Sequence, residues 1–314
     1  MPLIINRNLL GKMFVYKNIN IKPIHKNSVV AIGNFDGVHL GHQKVLLEAK
    51  KLAKKKKSKF GLITFEPIPM VFFKKIKNHR VQSLKQKIHS LEKLKLDFLI
   101  IIKFNKTFSN ISAENFIIKI LVKKINAENI FVSKNFRFGK NRLGDIKTLK
   151  KFEKKFNYKT FITSPLSKNS KMISSTLIRK KISNGNINDA AKLLGKHWSI
   201  EGEVVKGYQR GRKIGFPTCN IKLGSYVLPK FGVYKVLVEN NHLKLKKNGI
   251  ANIGIRPTFK GKEPLLEVNI FGIKKNLYKK TLKVNLLKFI RKEKKFKNLE
   301  NLKNQIKKDI QKVK

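Results

Sequence analysis

The hydrophobic pattern of this chain changes its period part-way along, and that change limits the folds that the chain can adopt. In the first half, short apolar runs occupy residues 28–32, 60–65, 98–102, 130–132 and 158–162. Between them, helical stripes are formed by Val45, Ala49, Leu52 and Ala53 and by Leu84, Ile88, Leu91 and Leu94, with further helices predicted at 116–122 and 146–156. Strands that alternate with helices are typical of βαβ units, so we predict an α/β domain with a parallel sheet.

The second half contains strands without intervening helices. After about residue 186, strand-like segments follow one another at 200–205, 233–239, 249–253, 265–271 and 282–289, which predicts an antiparallel barrel or sandwich. A short helix is predicted at 189–194, and a last helix carries the apolar stripe Leu299, Leu302, Ile306, Ile310 and Val313. Because Gly and Asn cluster at 183–188, we place the domain boundary there, giving domains at 1–185 and 186–314.

Length and cysteine content exclude several classes of protein. The 314 residues suit two domains, and 41% hydrophobic content is enough to build a core in each. The longest apolar run, 98–102, is far shorter than the roughly 20 residues that cross a bilayer, so we predict a cytoplasmic protein with no membrane partner. Cys219 is the single cysteine, which rules out an intramolecular disulfide and a cysteine-rich metal site.

The charge is extreme, with 72 basic and 18 acidic residues and a net charge of +54. Such a charge suggests a nucleic-acid-binding protein, whose affinity would fall steeply with salt. However, 63 of the basic residues are lysines scattered along the whole chain, whereas direct base readout favours arginine. We interpret the charge as a compositional bias and expect no specific nucleic-acid partner, keeping nucleic-acid binding as the alternative from another class.

A glycine-rich turn at residues 33–42, G-N-F-D-G-V-H-L-G-H, follows a predicted strand and opens a helix. Its glycines let backbone amides approach a polyphosphate, and the amino end of the helix adds partial positive charge. His39 and His42 can donate hydrogen bonds to phosphate oxygens as charge builds during an in-line displacement. The pattern predicts nucleotidyl transfer. The alternatives are surface histidines or a zinc pair, which would need further ligands at workable spacing.

Two further segments combine polar groups that suit phosphates. Residues 173–179, I-S-S-T-L-I-R, place hydroxyls at a helix start and an arginine one turn later, a good triphosphate clamp, although capping alone could explain the serines. Residues 207–220 combine glycines, three cations and a T-x-N pair whose oxygens suit Mg²⁺ bound to ATP. For that stretch the alternative is a basic hairpin with a G-F-P turn.

These motifs in this order resemble the prokaryotic bifunctional riboflavin kinase/FAD synthetase family, and the resemblance runs almost end to end. Residues 33–42 and 173–179 resemble its adenylyltransferase motifs, and T-F-E-P-I-P at 64–69 and N-F-R-F-G at 135–139 resemble its flavin-side and nucleotide-side segments. Residues 211–220 resemble its kinase signature G-R-x-x-G-F-P-T-A-N, with Cys219 in place of Ala.

The resemblance implies a Rossmann-like nucleotidyltransferase domain, with FMN adenylyltransferase (FAD synthetase) activity, followed by a small six-stranded riboflavin kinase barrel. The implied enzyme phosphorylates riboflavin to FMN and adenylylates FMN to FAD, with ATP as co-substrate, Mg²⁺ as cofactor and pyrophosphate as a product. Its partners are therefore the small molecules riboflavin, FMN and ATP, and its oligomeric state is left open.

The resemblance also implies roles for particular residues. Its catalytic residues are His39, His42, Arg179 and Glu267, the last as the carboxylate that accepts the riboflavin hydroxyl proton. ATP and phosphate binding falls to Gly33, Phe35, Asp36, Gly41, Ser174, Ser175, Thr176, Gly211, Arg212, Lys213 and Gly215. Flavin binding falls to Phe65, Pro67, Asn135 and Arg291, and metal binding to Thr218 and Asn220.

The chain departs from the family pattern mainly in the kinase half. Asn269 stands where the family usually has His, Gly272 where it usually has Asp, and Lys279 where Gly is common. These changes leave a second alternative, an FAD synthetase whose kinase half has decayed. In the first half the departures are Ile68, where His is frequent, and Ser133 and Lys134.

Overall fold

The structure is a computed structural model that describes residues 13–168, 171–207, 211, 214–258, 261–273 and 275–313. The chain forms two compact units. The first unit comprises Met1–Ile76 and Leu84–Ser174, and the second comprises Lys77–Ser83 and Ser175–Lys314. The domain boundary at 185/186 stays a prediction.

The first unit is built on a six-stranded sheet in which every neighbouring pair of strands is parallel. Its strands are β1 (Phe14–Tyr16), β2 (Ser28–Ile32), β3 (Phe60–Glu66), β4 (Phe98–Lys103), β5 (Ala127–Ser133) and β6 (Lys159–Thr163). They lie in the order β1-β4-β3-β2-β5-β6. This arrangement confirms the predicted parallel α/β domain.

Helices connect these strands. They are α1 (Leu40–Lys55), α2 (Pro69–Lys74), α3 (Leu84–Lys93), α4 (Lys106–Ser109), α5 (Ala113–Asn115), a π-helix (Phe116–Ile125), α6 (Ile146–Lys151) and α7 (Glu153–Phe156). Short 3₁₀ turns span Pro23–His25 and Lys140–Arg142, and a hairpin pairs β7 (Ser167–Lys168) with β8 (Lys171–Met172).

Three local features of the first unit differ from the pattern-based expectation. Strand β1 was not predicted, because three residues are too short to show a period, and it exists through its pairing with β4. The helix predicted at 146–156 divides at Phe152, whose amide closes the end of α6 by donating to Leu149 and Lys150 carbonyls. The helix predicted at 116–122 is a π-helix that extends to Ile125.

The sheet is covered on both faces, as parallel sheets require. On one face Val30 and Ile32 of β2 pack with Ile117 and Leu121 of the π-helix. On the other face β2 contributes Val29 and Ala31 to a core shared with α1 and α3. The two cores fix the strand ends, and thereby the turns that follow the strands.

The second unit is a closed antiparallel barrel with flanking helices. Its elements are α8 (Ser175–Ser183), α9 (Ile187–Leu194), β9 (Ser199–Val205), β10 (Cys219–Lys222), β11 (Gly232–Asn240), β12 (Leu245–Thr258), β13 (Gly261–Ile270), β14 (Thr281–Arg291) and α10 (Leu299–Gln311). The strands close in the order β10-β13-β12-β11-β14-β9. The structure therefore selects the barrel over the sandwich.

The last helix packs through its carboxyl-terminal end. Val313 is buried against Val233 and Ile250 of the barrel, with Ile310 packed beside them. At the other end of the predicted apolar stripe, Leu299 is 64% exposed. A buried ion pair anchors the helix: Asp309, 1% exposed, lies 2.7 Å from Nη2 of Arg291.

Candidate active sites

The turn between β2 and α1 holds its backbone in an uncommon conformation. Phe35 and Val38 have φ angles of 47° and 41°, in the left-handed region that favours glycine. Both side chains are buried, as is that of Asp36, so packing maintains a conformation that costs about 1–3 kcal/mol per residue. Such strain is concentrated at functional sites, and here it shapes the predicted phosphate-binding turn.

His39 and His42 are held against each other at the start of α1. Nδ1 of His39 accepts the backbone N–H of His42 at 3.2 Å and so caps the helix. The two rings stack with centroids 3.6 Å apart and planes 17° apart. Because Nδ1 of His39 is an acceptor, a neutral His39 carries its proton on Nε2, where it can be donated to a ligand.

His42 is kept neutral by its surroundings. Burial is the main cause that holds the pKa of its imidazole well below the usual range, and the neighbouring charges of His39 and Lys87 lower that pKa further. Its Nδ1 atom is fully buried and has no hydrogen-bond partner among the described residues. A proton there would bury an unpaired N–H, so the favoured tautomer also carries its proton on Nε2.

Gly41 lies close to both His39 and Ile173 within the first unit. A Cβ at this position would lie 3.2 Å from the ring of His39 and 3.3 Å from the carbonyl oxygen of Ile173. Ile173 is the first residue of the I-S-S-T-L-I-R segment. A side chain at position 41 would require these neighbours to shift by a few tenths of an ångström, so glycine favours the close approach of Ile173 to the histidine turn. Gly33 is also close-packed, with its Cβ position 3.0 Å from the ring of Phe35.

The hydroxyl-rich segment continues into α8. Ser174 ends the first unit, and Ser175 opens the helix. Nη2 of Arg179 donates to Oγ1 of Thr176 at 3.2 Å, so the guanidinium and this hydroxyl lie together on one side of α8. Ile178 and Ile182 of the same helix are buried. The arrangement leaves a polar helix start that suits phosphate oxygens.

The other predicted residues of the first unit follow strand ends. Gly33 follows β2, Pro67 follows β3 and Asn135 follows β5, and these three strands are neighbours in the sheet. The carboxyl ends of parallel strands meet at one edge, which is where ligands of open α/β sheets bind. Of the departures, Ile68 is buried, whereas Ser133 and Lys134 are exposed.

An aromatic cluster adjoins Phe65 that motif reasoning did not single out. Phe65 contacts Phe104 and Phe108, with ring centroids 6.2 Å and 5.8 Å away. Phe104 in turn contacts Phe72 and Phe73 of α2 at 5.4 Å and 5.6 Å. Phe73 is 62% exposed, so the cluster presents an aromatic ring beside the T-F-E-P-I-P segment. The sequence signal that could have indicated this cluster is the set of phenylalanines that follow residues 64–69 and strand β4.

In the barrel, strand register brings predicted kinase residues into one row. Glu267 of β13 lies directly opposite Asn220 of β10 and directly opposite Asn252 of β12. Directly opposed residues point to the same face. This is the outer face, since the flanking Leu266 and Val268 fill the barrel interior.

The row is extended by a carboxylate that motif reasoning gave no role. Nδ2 of Asn252 donates to Oε1 of Glu293 at 3.0 Å. Glu293 also lies against Gly254, where a Cβ would come within 2.2 Å of Oε1. The structure therefore adds Asn252 and Glu293 to the predicted pair Asn220 and Glu267. Sequence spacing alone could not show that they meet.

Glycines make room for the polar groups of the kinase signature. A Cβ at Gly207 would lie 2.1 Å from Nδ2 of Asn220, and one at Gly211 would lie 3.3 Å from Oγ1 of Thr218. The Gly211 carbonyl accepts the amide of Phe216 at 2.8 Å, which closes the loop on itself. Gly215, with φ of 87°, lies in the left-handed region. Arg212 and Lys213 lie outside the described residues.

A depression of ≈ 780 Å³ lies beside the signature in the second unit. Its lining includes Phe216, Pro217, Asn269, Phe271 and Leu277. Nδ2 of Asn269 donates to the Pro217 carbonyl at 2.7 Å. Asn269, which stands where the family usually has His, therefore provides a hydrogen-bond donor that connects the G-F-P segment to β13.

The kinase half also departs from the family pattern at Gly272 and Lys279. Both residues have left-handed backbone conformations, with φ of 65° and 62°. This conformation explains why Gly is common at position 279, since a lysine is strained there. Arg291, predicted to bind flavin, uses its guanidinium to hold Asp309 and the Lys292 carbonyl. Its role in flavin binding stays a prediction.

Comparison with known proteins supports both halves of this description. The sequence profile of the FAD synthetase family matches residues 21–177, and that of the riboflavin kinase family matches residues 194–314. A bifunctional riboflavin kinase/FMN adenylyltransferase from Buchnera aphidicola subsp. Schizaphis graminum is 44% identical over 94% of this chain and 96% of that protein. The chain belongs to this bifunctional family.

Other members and a solved structure are similar over nearly the whole chain. The family member from Haemophilus influenzae is 37% identical over 94% of this chain and 96% of its own. A crystal structure described as a macrolide-efflux protein from Streptococcus pneumoniae is 31% identical, with a TM-score of 0.83 over 96% of this chain and 98% of that one. In the described part of this chain, no helix has the length and apolar character needed to span a membrane.

The prediction of a riboflavin kinase and FMN adenylyltransferase, with an α/β domain followed by a barrel and a last helix, is thereby confirmed. Both activities use ATP. The roles of individual residues, the metal ion and the absence of a nucleic-acid partner stay predictions.

Proposed function

We propose that the histidine turn of the first unit carries the adenylyl transfer. An oxygen of the FMN phosphate attacks the α-phosphorus of ATP, the bond to the bridging oxygen breaks, and pyrophosphate leaves. The Nε2–H groups of His39 and His42 donate to the α-phosphate oxygens as negative charge builds on them. The observation that carries this proposal is the stacked pair of imidazoles at a helix start, together with the burial that holds the pKa of His42 well below its usual range.

Other groups of the proposed site bind the two substrates. From the motif alone, the hydroxyls of Ser174, Ser175 and Thr176 and the guanidinium of Arg179 are the predicted ligands of the outer phosphates of ATP. The residues of the turn, Gly33, Phe35, Asp36 and Gly41, shape the backbone that faces the nucleotide. Phe65 and Pro67, with the aromatic cluster beside them, provide an apolar surface for the flavin ring, and Asn135 adds a polar contact.

For the kinase step we propose that Glu267 accepts the proton of the riboflavin 5′-hydroxyl. That oxygen then bonds to the γ-phosphorus of ATP while the bond to the β-phosphate oxygen breaks. Phosphoryl transfer depends mainly on positioning and charge neutralisation, so the fixed row of Asn220, Glu267 and Asn252 supports this assignment. Gly211, Gly215 and the cations Arg212 and Lys213 complete the proposed ATP loop.

We propose Mg²⁺ as the cofactor and Thr218 and Asn220 as the residues that hold it. A hydroxyl and an amide oxygen are hard ligands of the kind that Mg²⁺ prefers, and Gly207 and Gly211 let the loop backbone approach the Asn220 amide group and the Thr218 hydroxyl. When bound with ATP, Mg²⁺ neutralises phosphate charge. A cytoplasmic location is consistent with a requirement for ATP.

One assay tests the proposed function and its alternatives. Purified protein is incubated with riboflavin, ATP and Mg²⁺, and FMN and FAD are separated by chromatography. We expect FMN to form first, FAD to follow, and both to disappear when EDTA replaces Mg²⁺. FAD from added FMN, but no FMN from riboflavin, would identify a decayed kinase. Product formation abolished by a modest excess of DNA would favour the nucleic-acid alternative.

A further inference from the structure

Lys87 of α3 is completely buried, at 0% exposure, and it is the only buried lysine among the described residues. Lysines are almost never fully buried unless polar groups pair with them. In a chain with 63 lysines, this one is therefore distinguished by its environment and not by its type.

The ammonium group of Lys87 joins two segments that the proposed function gives to different substrates. Nζ donates to the carbonyl oxygen of Asn34 at 2.7 Å and lies 3.3 Å from Oγ1 of Thr64. The Thr64 hydroxyl donates to the same Asn34 carbonyl at 3.1 Å. Asn34 belongs to the phosphate-binding turn after β2, and Thr64 begins the flavin-side segment on the neighbouring strand β3.

This geometry bears on the chemical step because adenylyl transfer requires two anions to be aligned. The turn after β2 faces the nucleotide, and the segment at the end of β3 faces the flavin. A misplacement of about 1 Å in such a pair can reduce the rate about 100-fold. We propose that Lys87 is a positioning residue for adenylyl transfer, which holds the phosphate-binding turn after β2 and the flavin-side segment of β3 at a fixed separation. This inference rests on the proposed function of these two segments.

The charge of Lys87 adds to this role. The ammonium is one of the groups that, after burial and His39, lower the pKa of His42. A buried positive charge near the turn thus favours the neutral imidazole that donates to phosphate. Because the charge is buried, salt should screen it much less than it screens the surface lysines.

The test compares Lys87→Met with Lys50→Met in the full-length enzyme. Lys50 of α1 is a matched control, since its Nζ also donates to a backbone carbonyl, that of Leu94 at 3.0 Å, but away from the turn. For Lys87→Met we expect kcat for FAD formation from FMN to fall about 10- to 100-fold. The KM values for FMN and ATP should change less than about threefold, and FMN formation from riboflavin should stay within about twofold of wild type. Lys50→Met should match wild type in both reactions.

Two further measurements keep the test informative if Lys87→Met does not fold. Thr64→Val removes only the hydroxyl of the network and should lower kcat about 3- to 10-fold, and the double variant should be no slower than Lys87→Met alone. NMR titration of the His42 ring in folded Lys87→Met should show a higher pKa than in wild type. A kcat within twofold of wild type for Thr64→Val and for folded Lys87→Met, or fully multiplicative losses, would overturn the proposal. The failure of the proposed site itself would be distinguished by a His42→Ala variant that keeps its adenylyl transfer rate.

Discussion

Replacing His42 with alanine tests the adenylyl-transfer site most directly. The substitution removes an Nε2–H donor but preserves the helix cap, because the group that His39 accepts is the backbone N–H of residue 42. Alanine is also favourable inside α1. Of the two proposed imidazole donors, His39 remains. Loss of one preorganised donor costs about 2.7–4 kcal/mol of transition-state stabilisation, so FAD formation from FMN should slow about 100- to 1000-fold.

The assay follows both reactions in the same preparation. FMN formation from riboflavin serves as an internal reference, since the barrel carries it, and it should change less than about twofold. His89→Ala is the matched control in the same unit, because the His89 side chain is 65% exposed and pairs only with Glu92 among the described ion pairs. His42→Gln should recover part of the rate, since its amide nitrogen can approach the former Nε2 position.

The result that would refute this reasoning is an FAD rate for His42→Ala within a few-fold of wild type. Equal losses in both reactions would instead point to a general loss of structure, which circular dichroism and thermal unfolding would reveal. A large loss in His89→Ala would show that the assay responds to any histidine change and would remove the basis of the assignment.

Three further predictions concern the barrel and the pH response. Glu267→Gln should abolish FMN formation from riboflavin while FAD formation from supplied FMN and riboflavin binding persist, and kinase activity that survives would show that another group takes the proton. Asp309→Ala should lower the unfolding free energy of the second unit by about 3–5 kcal/mol, because it leaves the Arg291 guanidinium without its buried partner. Urea unfolding followed by the fluorescence of Trp198, the single tryptophan, measures this change. A loss below about 1 kcal/mol would contradict the prediction. Burial lowers the pKa of His25 as well as that of His42, so the unfolded chain binds more protons, and the free energy of unfolding should fall as pH drops below about 6.5, by up to about 1.4 kcal/mol per pH unit for each histidine. Urea midpoints measured between pH 7.5 and 5.5 should show this loss in wild type and a smaller loss in His42→Ala. Wild-type midpoints that do not change over this range would contradict the prediction.

Much of the molecule follows from local sequence pattern. The change from helix-strand alternation to strands alone predicted an α/β unit followed by an antiparallel barrel or sandwich, because side-chain periods of 3.6 and 2 are local properties of the backbone. The histidine turn and the kinase signature could also be recognised in the sequence, because the backbone of each requires glycines at fixed spacings. Local pattern missed β1, because a strand of three residues is too short to show a period.

Tertiary structure alone decided which residues act together. No spacing in the sequence places Asn252 and Glu293 beside Glu267, because that row depends on the register of separate strands and on a side chain beyond β14. Likewise, Lys87 has the same chemistry as 62 other lysines, and only the packing of α3 against the sheet takes its ammonium out of water and brings it to Asn34 and Thr64. Burial and register arise from contacts between distant segments, so a sequence can name the chemical groups of a site before it can show which of them meet.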